Sequence, residues 1–304
     1  MDNSQLKRVT RETLSERFLA EGGIADCIHG QFRTDSTAWA IIALEKADEE
    51  DDILEAHRAR LVREQSQDGR VSITPTHSES FWPTALAILA WQHSPKSSTA
   101  QRHSIDFLLK TTGAHSRRTS EDPAAHDTNL RGWPWVGRTH SWIEPTALAI
   151  IALKAMGTVE HERVYEAVRL ILDRQLPHGG WNYGNTVVFG RELHPAPDST
   201  GAALAGLAGL VGKEKIAKSL AYLQGEVDRL RTPVSLGWAL LGLAAWDCSP
   251  ANGLVLVERC LGFQSRYGDY DTSALCLLLV GALAGGGRSQ NSPSSVSSAV
   301  AFAG

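Results

Sequence analysis

The sequence predicts an all-α fold, a single α6/α6 toroid in which six apolar helices stand inside a ring of six charged ones. Three observations carry that expectation. A short apolar segment with nearly the same opening recurs six times in 304 residues. A charged, amphipathic segment alternates with each of them. The connections on one side of the pattern are short, whereas two on the other side are long. Repeats at spacings of about 20–50 residues are units that bury their apolar faces only by stacking on neighbours.

The apolar segments are 35–44, 82–91, 144–153, 198–207, 235–243 and 271–279. Aligned on Thr37, Thr84, Thr146, Thr200, Leu236 and Ser273, they stand 47, 62, 54, 36 and 37 residues apart. A helix that is apolar nearly all round must be covered on every side. Small residues such as Ala40, Ala87, Ala149 and Gly242 let neighbours approach closely. The partner segments fall near 5–19, 52–66, 97–111, 160–175, 213–225 and 250–264. In the second of these, Ile53, Leu54, His57, Leu61 and Val62 recur at helical spacing while Glu55, Arg58 and Arg60 face solvent. Six such pairs close most simply as two concentric rings; an open superhelix of helix pairs is the rival arrangement.

The turns that leave the apolar helices span only a few residues, as at 92–97 and 156–159. The returns at 112–141 and 177–197 are long, and long loops in a compact domain usually carry function. All returns emerge where the apolar helices begin, so that face is the expected mouth. Residues 1–284 are read as the toroid. The Gly/Ser-rich stretch 285–304 is read as a disordered tail.

The formal net charge of −4 and the lack of a basic stripe exclude nucleic acid as an expected partner. Cys27, Cys248, Cys260 and Cys276 are scattered without a CxxC pair, which fits a reducing compartment. The first residues have no apolar core of a signal peptide, and no apolar run reaches the ~18–20 residues of a membrane span. The expected location is cytoplasmic, with a peripheral membrane contact left open.

Three charged segments end in Gln followed by a Gly turn: Gln65 to Arg70, Gln175 to Trp181 and Gln264 to Tyr270. Only Gln175-Leu-Pro-His-Gly-Gly-Trp181 is complete. With the six-fold pattern, these turns resemble the QW repeat of the squalene and terpenoid cyclase and prenyltransferase-like toroids. The resemblance covers about residues 5–284. It implies an α/α toroid in which the Gln and Trp of each turn are structural, and one of three chemistries. Class II terpene cyclases protonate an alkene or epoxide with an aspartic acid. Prenyltransferase subunits bind zinc through Asp, Cys and His. Thioester domains carry Cys-Gly-Glu-Gln, which is absent here.

The class II signature Asp-x-Asp-Asp-Thr-Ala aligns with Ala196-Pro-Asp198-Ser-Thr-Gly201, after the Gly-Gly-Trp turn. The resemblance implies that Asp198 is the proton donor, with Thr200 matched. The flanking carboxylates are replaced by Ala196 and Ser199, so Asp198 needs another partner, and Glu192 and His194 are near in sequence. Glu144 holds the same repeat position. At a buried mouth its pKa would be raised, making it a second candidate acid. Asp35 and Asp271 share the position too, and helix capping is the structural alternative for all the aspartates. Cation chemistry needs aromatic faces. Trp39 and Trp238 fall at one repeat position, and Trp82, Trp133, Trp135 and Trp142 gather near the mouth.

Zinc is not expected. Asp247-Cys248 lies on the wrong face, and Asp26-Cys27-Ile28-His29 lacks a third ligand. His77, His140 and His194 precede apolar helices, and Arg131 and Arg138 flank Gly-Trp-Pro-Trp as candidate anion contacts. The leading reading is an acid-initiated cyclase or isomerase acting on an isoprenoid-like apolar substrate, without a cofactor. Catalysis falls to Asp198, Glu144 and His194, and substrate contact to the six tryptophans with Asp35 and Asp271. The alternatives are a toroid scaffold that binds a lipid, peptide or protein without turnover, and a zinc-dependent prenyltransferase-like enzyme.

Overall fold

The computed structural model describes residues 1–117 and 125–286. Its helices alternate between two rings. The inner ring holds α2 (Thr34–Lys46), α4 (Pro83–Ala90), α6 (Ile143–Ala155), α8 (Pro197–Leu207), α10 (Pro233–Ala244) and α13 (Thr272–Gly286). The outer ring holds α1 (Asn3–Ser15), α3 (Asp51–Arg63), α5 (Ser98–Lys110), α7 (Glu162–Asp173), α9 (Ala217–Glu226) and α11 (Gly253–Gly262), extended by the one-turn α12 (Gln264–Tyr267). Each inner helix packs on the next, and α13 packs on α2, so the inner ring closes. The rival open superhelix is thereby excluded.

The rings differ as the sequence pattern requires. Every described residue of α6 from Ile143 to Leu153 is buried, because the helix is covered by neighbours on both sides and by α7 behind. Outer helix α7 buries only Arg163, Val164, Ala167, Leu170 and Ile171, a stripe at helical spacing. Between α8 and α10 the backbones nearly touch. A Cβ on Gly201 would lie 2.2 Å from the Trp238 carbonyl oxygen, and one on Gly242 would lie 2.6 Å from that of Gly201. Only glycine fits there.

Arg58 of α3, expected to face solvent, is instead buried. Its Nε donates to the Ala90 carbonyl at 2.8 Å, and its guanidinium pairs with Glu45 and Glu55. Three acceptors satisfy the charge, which is the condition for burying it.

The aligned threonines act as brackets. The Oγ1 atoms of Thr37, Thr84, Thr146 and Thr200 accept the backbone N–H of Ile24, Val71, Trp133 and Trp181 at 2.9–3.0 Å. Each also donates to the carbonyl of the same residue. Each return segment is thus fastened to the first turn of its inner helix. At the seam, Thr272 Oγ1 donates to the Ala25 carbonyl at 2.6 Å, and Arg17 donates to Thr272 Oγ1 at 2.8 Å. These bonds join the last repeat to the first.

Two of the Gln–Gly turns tie adjacent outer helices. Gln65 Nε2 donates to the Ala100 carbonyl and to Ser104 Oγ, both at 2.8 Å. Gln175 Nε2 and the Gly180 N–H both donate to Ser219 Oγ at 2.7 Å. Gln264 differs, accepting the Tyr270 N–H within its own turn. The 177–197 return carries a two-stranded hairpin, β1 (Val187–Val188) and β2 (Arg191–Glu192). No described helix is long and apolar enough to cross a membrane. The stretch expected to be a disordered tail lies, from residue 287 onward, outside the described residues.

Candidate active site

The inner helices run parallel, and their N-terminal turns meet at one end of the toroid. There a cleft of about 450 Å³ opens, lined from α2, α6, α10 and α13 and from the segments that lead into the inner helices. Trp39 and Trp238 form one wall with ring centroids 5.9 Å apart, edge to face. Trp82, just ahead of α4, and Trp135, in the long return, form the other at 5.4 Å. Aromatic pairs in this geometry turn some ring faces outward, where they can meet a cation or the flat face of a ligand. Asp35 and Asp271 line the same cleft with Arg33 and Asp26.

The candidate acids have unlike surroundings. Asp35, 1% exposed, accepts from Nε and Nη2 of the Arg33 guanidinium at 2.9 and 2.8 Å and from Ser273 Oγ of α13 at 3.2 Å. It forms a bidentate ion pair rather than a cap. Asp271 is a true cap, its carboxylate accepting the Ala274 N–H at 2.9 Å. Asp198 lies half-buried in the first turn of α8, where no side chain caps the helix. Its carboxylate makes no hydrogen bond among the described residues. The expected partners do not reach it: His194 is exposed, and Glu192 lies 3.7 Å from His178. The aligned aspartates therefore do not share one capping role.

Glu144 is the acid the tertiary structure singles out. It is 5% exposed and has no cationic partner among the described residues. Ser199 Oγ, reaching across from α8, donates to Glu144 Oε1. Oε2 is buried without any hydrogen bond. Burial pushes the carboxyl up to about 7 from its usual 4.5; the Ser199 bond and the residue's own N–H oppose the shift, and the nearby Asp198 charge adds to it. Glu144 therefore holds a proton close to neutral pH, on an oxygen that gives it to no protein acceptor. Leu148, one turn along the same face of α6, lines the tryptophan cleft. Tyr183, at the start of the hairpin return, has its hydroxyl pKa raised by the charges of Asp198 and Glu144 and by burial.

Two expected aromatic contacts lie elsewhere. Trp133 is 2% exposed, with its Nε1–H donated to the Leu108 carbonyl at 3.0 Å and Arg163 stacked 4.5 Å from its ring. It matches Trp181, whose Nε1 donates to the Ile171 carbonyl at 2.7 Å, so Trp133 is buried structure beneath a turn rather than cleft wall. Trp142 faces a separate cavity beside His140, their rings 4.6 Å apart. Arg131 is paired with Glu166, and His77 is exposed and bonded to Thr74.

Ser199, Arg33 and Ser273 were not assigned roles from sequence. A signal was present: serine follows the acid directly in Asp35-Ser36 and again in Asp198-Ser199. That Ser199 serves the acid of the neighbouring helix, not its own, required the ring. Among the described residues no group of three His, Cys, Asp or Glu side chains has the geometry of a metal site.

The chain is an α/α toroid. Solved structures with this fold superpose along nearly its whole length. A protein from Actinoplanes is 17% identical, with 92% of this chain and 99% of that one covered at a TM-score of 0.60. A variant of the type II terpene cyclase MstE from Scytonema, in complex with geranylgeranyl dihydroxybenzoate, is 12% identical, with 92% and 97% covered at 0.59. An inactive variant of an alpha-1,6-mannanase of Salegentibacter, in complex with alpha-1,6-mannotriose, is 10% identical, with 93% and 99% covered at 0.62. No protein-family profile and no curated protein sequence matches the toroid. Identities this low establish the fold and leave the chemistry to the site.

Proposed function

We propose that the toroid is an acid-initiated cyclase or isomerase acting on an isoprenoid-like apolar substrate, with Glu144 as the proton donor and not Asp198. The observation that carries this reading is the contrast between two acids in the first turns of inner helices α2 and α6. Asp35 is neutralised by Arg33, while Glu144 is buried with only a serine hydroxyl and keeps its proton. A general acid works best when its pKa lies near the working pH. An acid of about 7 protonates an oxygen more readily than a bare alkene, which favours a substrate ending in an epoxide or another oxygen function. Trp39, Trp238, Trp82 and Trp135 would shield the cation formed on its removal. The terpene cyclase neighbour, bound to a geranylgeranyl compound, supports an apolar ligand for this fold.

The test is incubation with squalene epoxide, geranylgeranyl diphosphate and prenylated aromatics, read by mass spectrometry. Turnover is expected in the wild type and in Asp198→Asn, with a loss of about 100-fold or more in Glu144→Gln. Equal turnover in wild type and Glu144→Gln refutes the assignment.

A second reading is glycoside hydrolysis. The cleft combines tryptophans, onto which sugar rings stack, with Asp26, Asp271 and the Arg33–Asp35 pair, and a mannanase shares the fold. A carboxyl of raised pKa also suits protonation of a glycosidic oxygen. Mannotriose and related oligosaccharides belong in the same assay. Binding of either class without any product would favour the scaffold.

A further inference from the structure

We propose that the cavity beside Trp142 is an oxyanion site that takes a phosphate group, with Arg174 as its anchoring cation. It is separate from the tryptophan cleft, has a volume of about 280 Å³, and lies between residues 114–116, 126–128 and 140–142, the C-terminal end of α7 and Gly184–Asn185. His115, His126, His140 and Arg174 line it with the Ser116 hydroxyl, the Thr128 hydroxyl being donated to the Ser116 carbonyl at 2.8 Å, and none of the described lining residues is a carboxylate. These groups offer more N–H and O–H bonds than the two oxygens of a carboxylate can accept, whereas a phosphate can use them.

The decisive group is Arg174, only 5% exposed. A buried guanidinium normally has a carboxylate partner. Arg58 has Glu45 and Glu55, and Arg163 has Glu166. Arg174 has none within ion-pair distance among the described residues. Its Nη1 donates to the Ser141 carbonyl at 2.6 Å, and its Nε–H finds no acceptor. Burial pulls its pKa down to about 10, with Asp173 and Asp127 close enough to oppose that shift. Asp173 is engaged with the Asp127 backbone N–H at 2.8 Å. A buried cation with no carboxylate in contact among the described residues, and with an Nε–H left without an acceptor, is matched by an anion from outside. Gly184 leaves room for it, since a Cβ there would stand 3.1 Å from Arg174 Nη1. The site does not depend on the chemistry proposed for the cleft.

The phosphate can arrive as the free ion or as the head of an apolar molecule. Calorimetric titration with inorganic phosphate and with dodecyl phosphate separates the two. Phosphate is expected to bind, and Arg174→Gln to weaken it about tenfold or more, as for loss of a charge-assisted bond. Tighter binding of dodecyl phosphate than of phosphate, abolished by the same substitution, would support the head-group source; equal affinities would support the free ion. Because Arg174 also holds the Ser141 carbonyl, His140→Ala, on an exposed position, serves as a second variant, expected to bind severalfold more weakly with an unchanged melting temperature. Absence of binding by both probes in the wild type, or wild-type affinity in folded Arg174→Gln and His140→Ala, overturns the proposal.

Discussion

Replacing Glu144 by Gln should stabilise the protein, and the gain should depend on pH in a defined way. The carboxyl titrates near 7 in the fold and near 4.5 in the unfolded chain. Between those values the folded state holds a proton that the unfolded state has released. Wild-type stability therefore falls as pH rises through the window, at about 1.4 kcal/mol per pH unit. The displacement is worth about 3 kcal/mol once both states are ionised. Glutamine keeps an acceptor for Ser199 and never ionises. The difference in unfolding free energy, variant minus wild type, should be flat below about pH 4.5 and about 3 kcal/mol larger at about pH 8. His57 makes the difference measurement essential. Its ring is buried, its Nδ1 accepts the Gly23 N–H at 3.0 Å, and burial pulls its pKa from 6.5 to about 4. There the unfolded state binds the extra proton, so stability rises with pH over nearly the same window and masks the Glu144 effect in the wild type alone. The assay is urea unfolding of both proteins across that range. A difference that does not change with pH would show that Glu144 is ionised in the fold, and the acid assignment would fail with it.

Other outcomes follow from single contacts. Arg58→Met leaves Glu45 and Glu55 without their buried counter-charge and should cost about 3–5 kcal/mol, read as a lower urea midpoint. Thr146→Val removes the hydroxyl that accepts the Trp133 N–H, and should cost about 1–3 kcal/mol by the same measurement. Gly201→Ala drives a methyl against the Trp238 carbonyl. It should cost at least about 1–3 kcal/mol and alter the tryptophan fluorescence of the cleft, whereas unchanged stability would mean α8 and α10 separate freely.

The repeat was legible because its signal is local. Thr-Ala-Leu-Ala-Ile-Ile-Ala at 146–152 is apolar on every face, and only a ring covered on both sides accommodates that. The position of the mouth followed from loop lengths, and the placement of Trp39 and Trp238 from their shared repeat position. The separate fates of Asp35, Glu144, Asp198 and Asp271 were not legible, since all four occupy equivalent places in the chain. Arg58 was misread for the same reason: its partners Glu45 and Ala90 lie 13 and 32 residues away.

The sequence by itself determined the six-fold pairing of helices, the face on which they begin, and which residue types stand there. Only the tertiary structure decided the chemistry of each acid. What crosses from the next helix differs: Ser273 of α13 reaches an Asp35 already paired with the local Arg33, whereas a lone serine of α8 reaches Glu144. Those contacts span 238 and 55 residues, and closure of the ring brings them together.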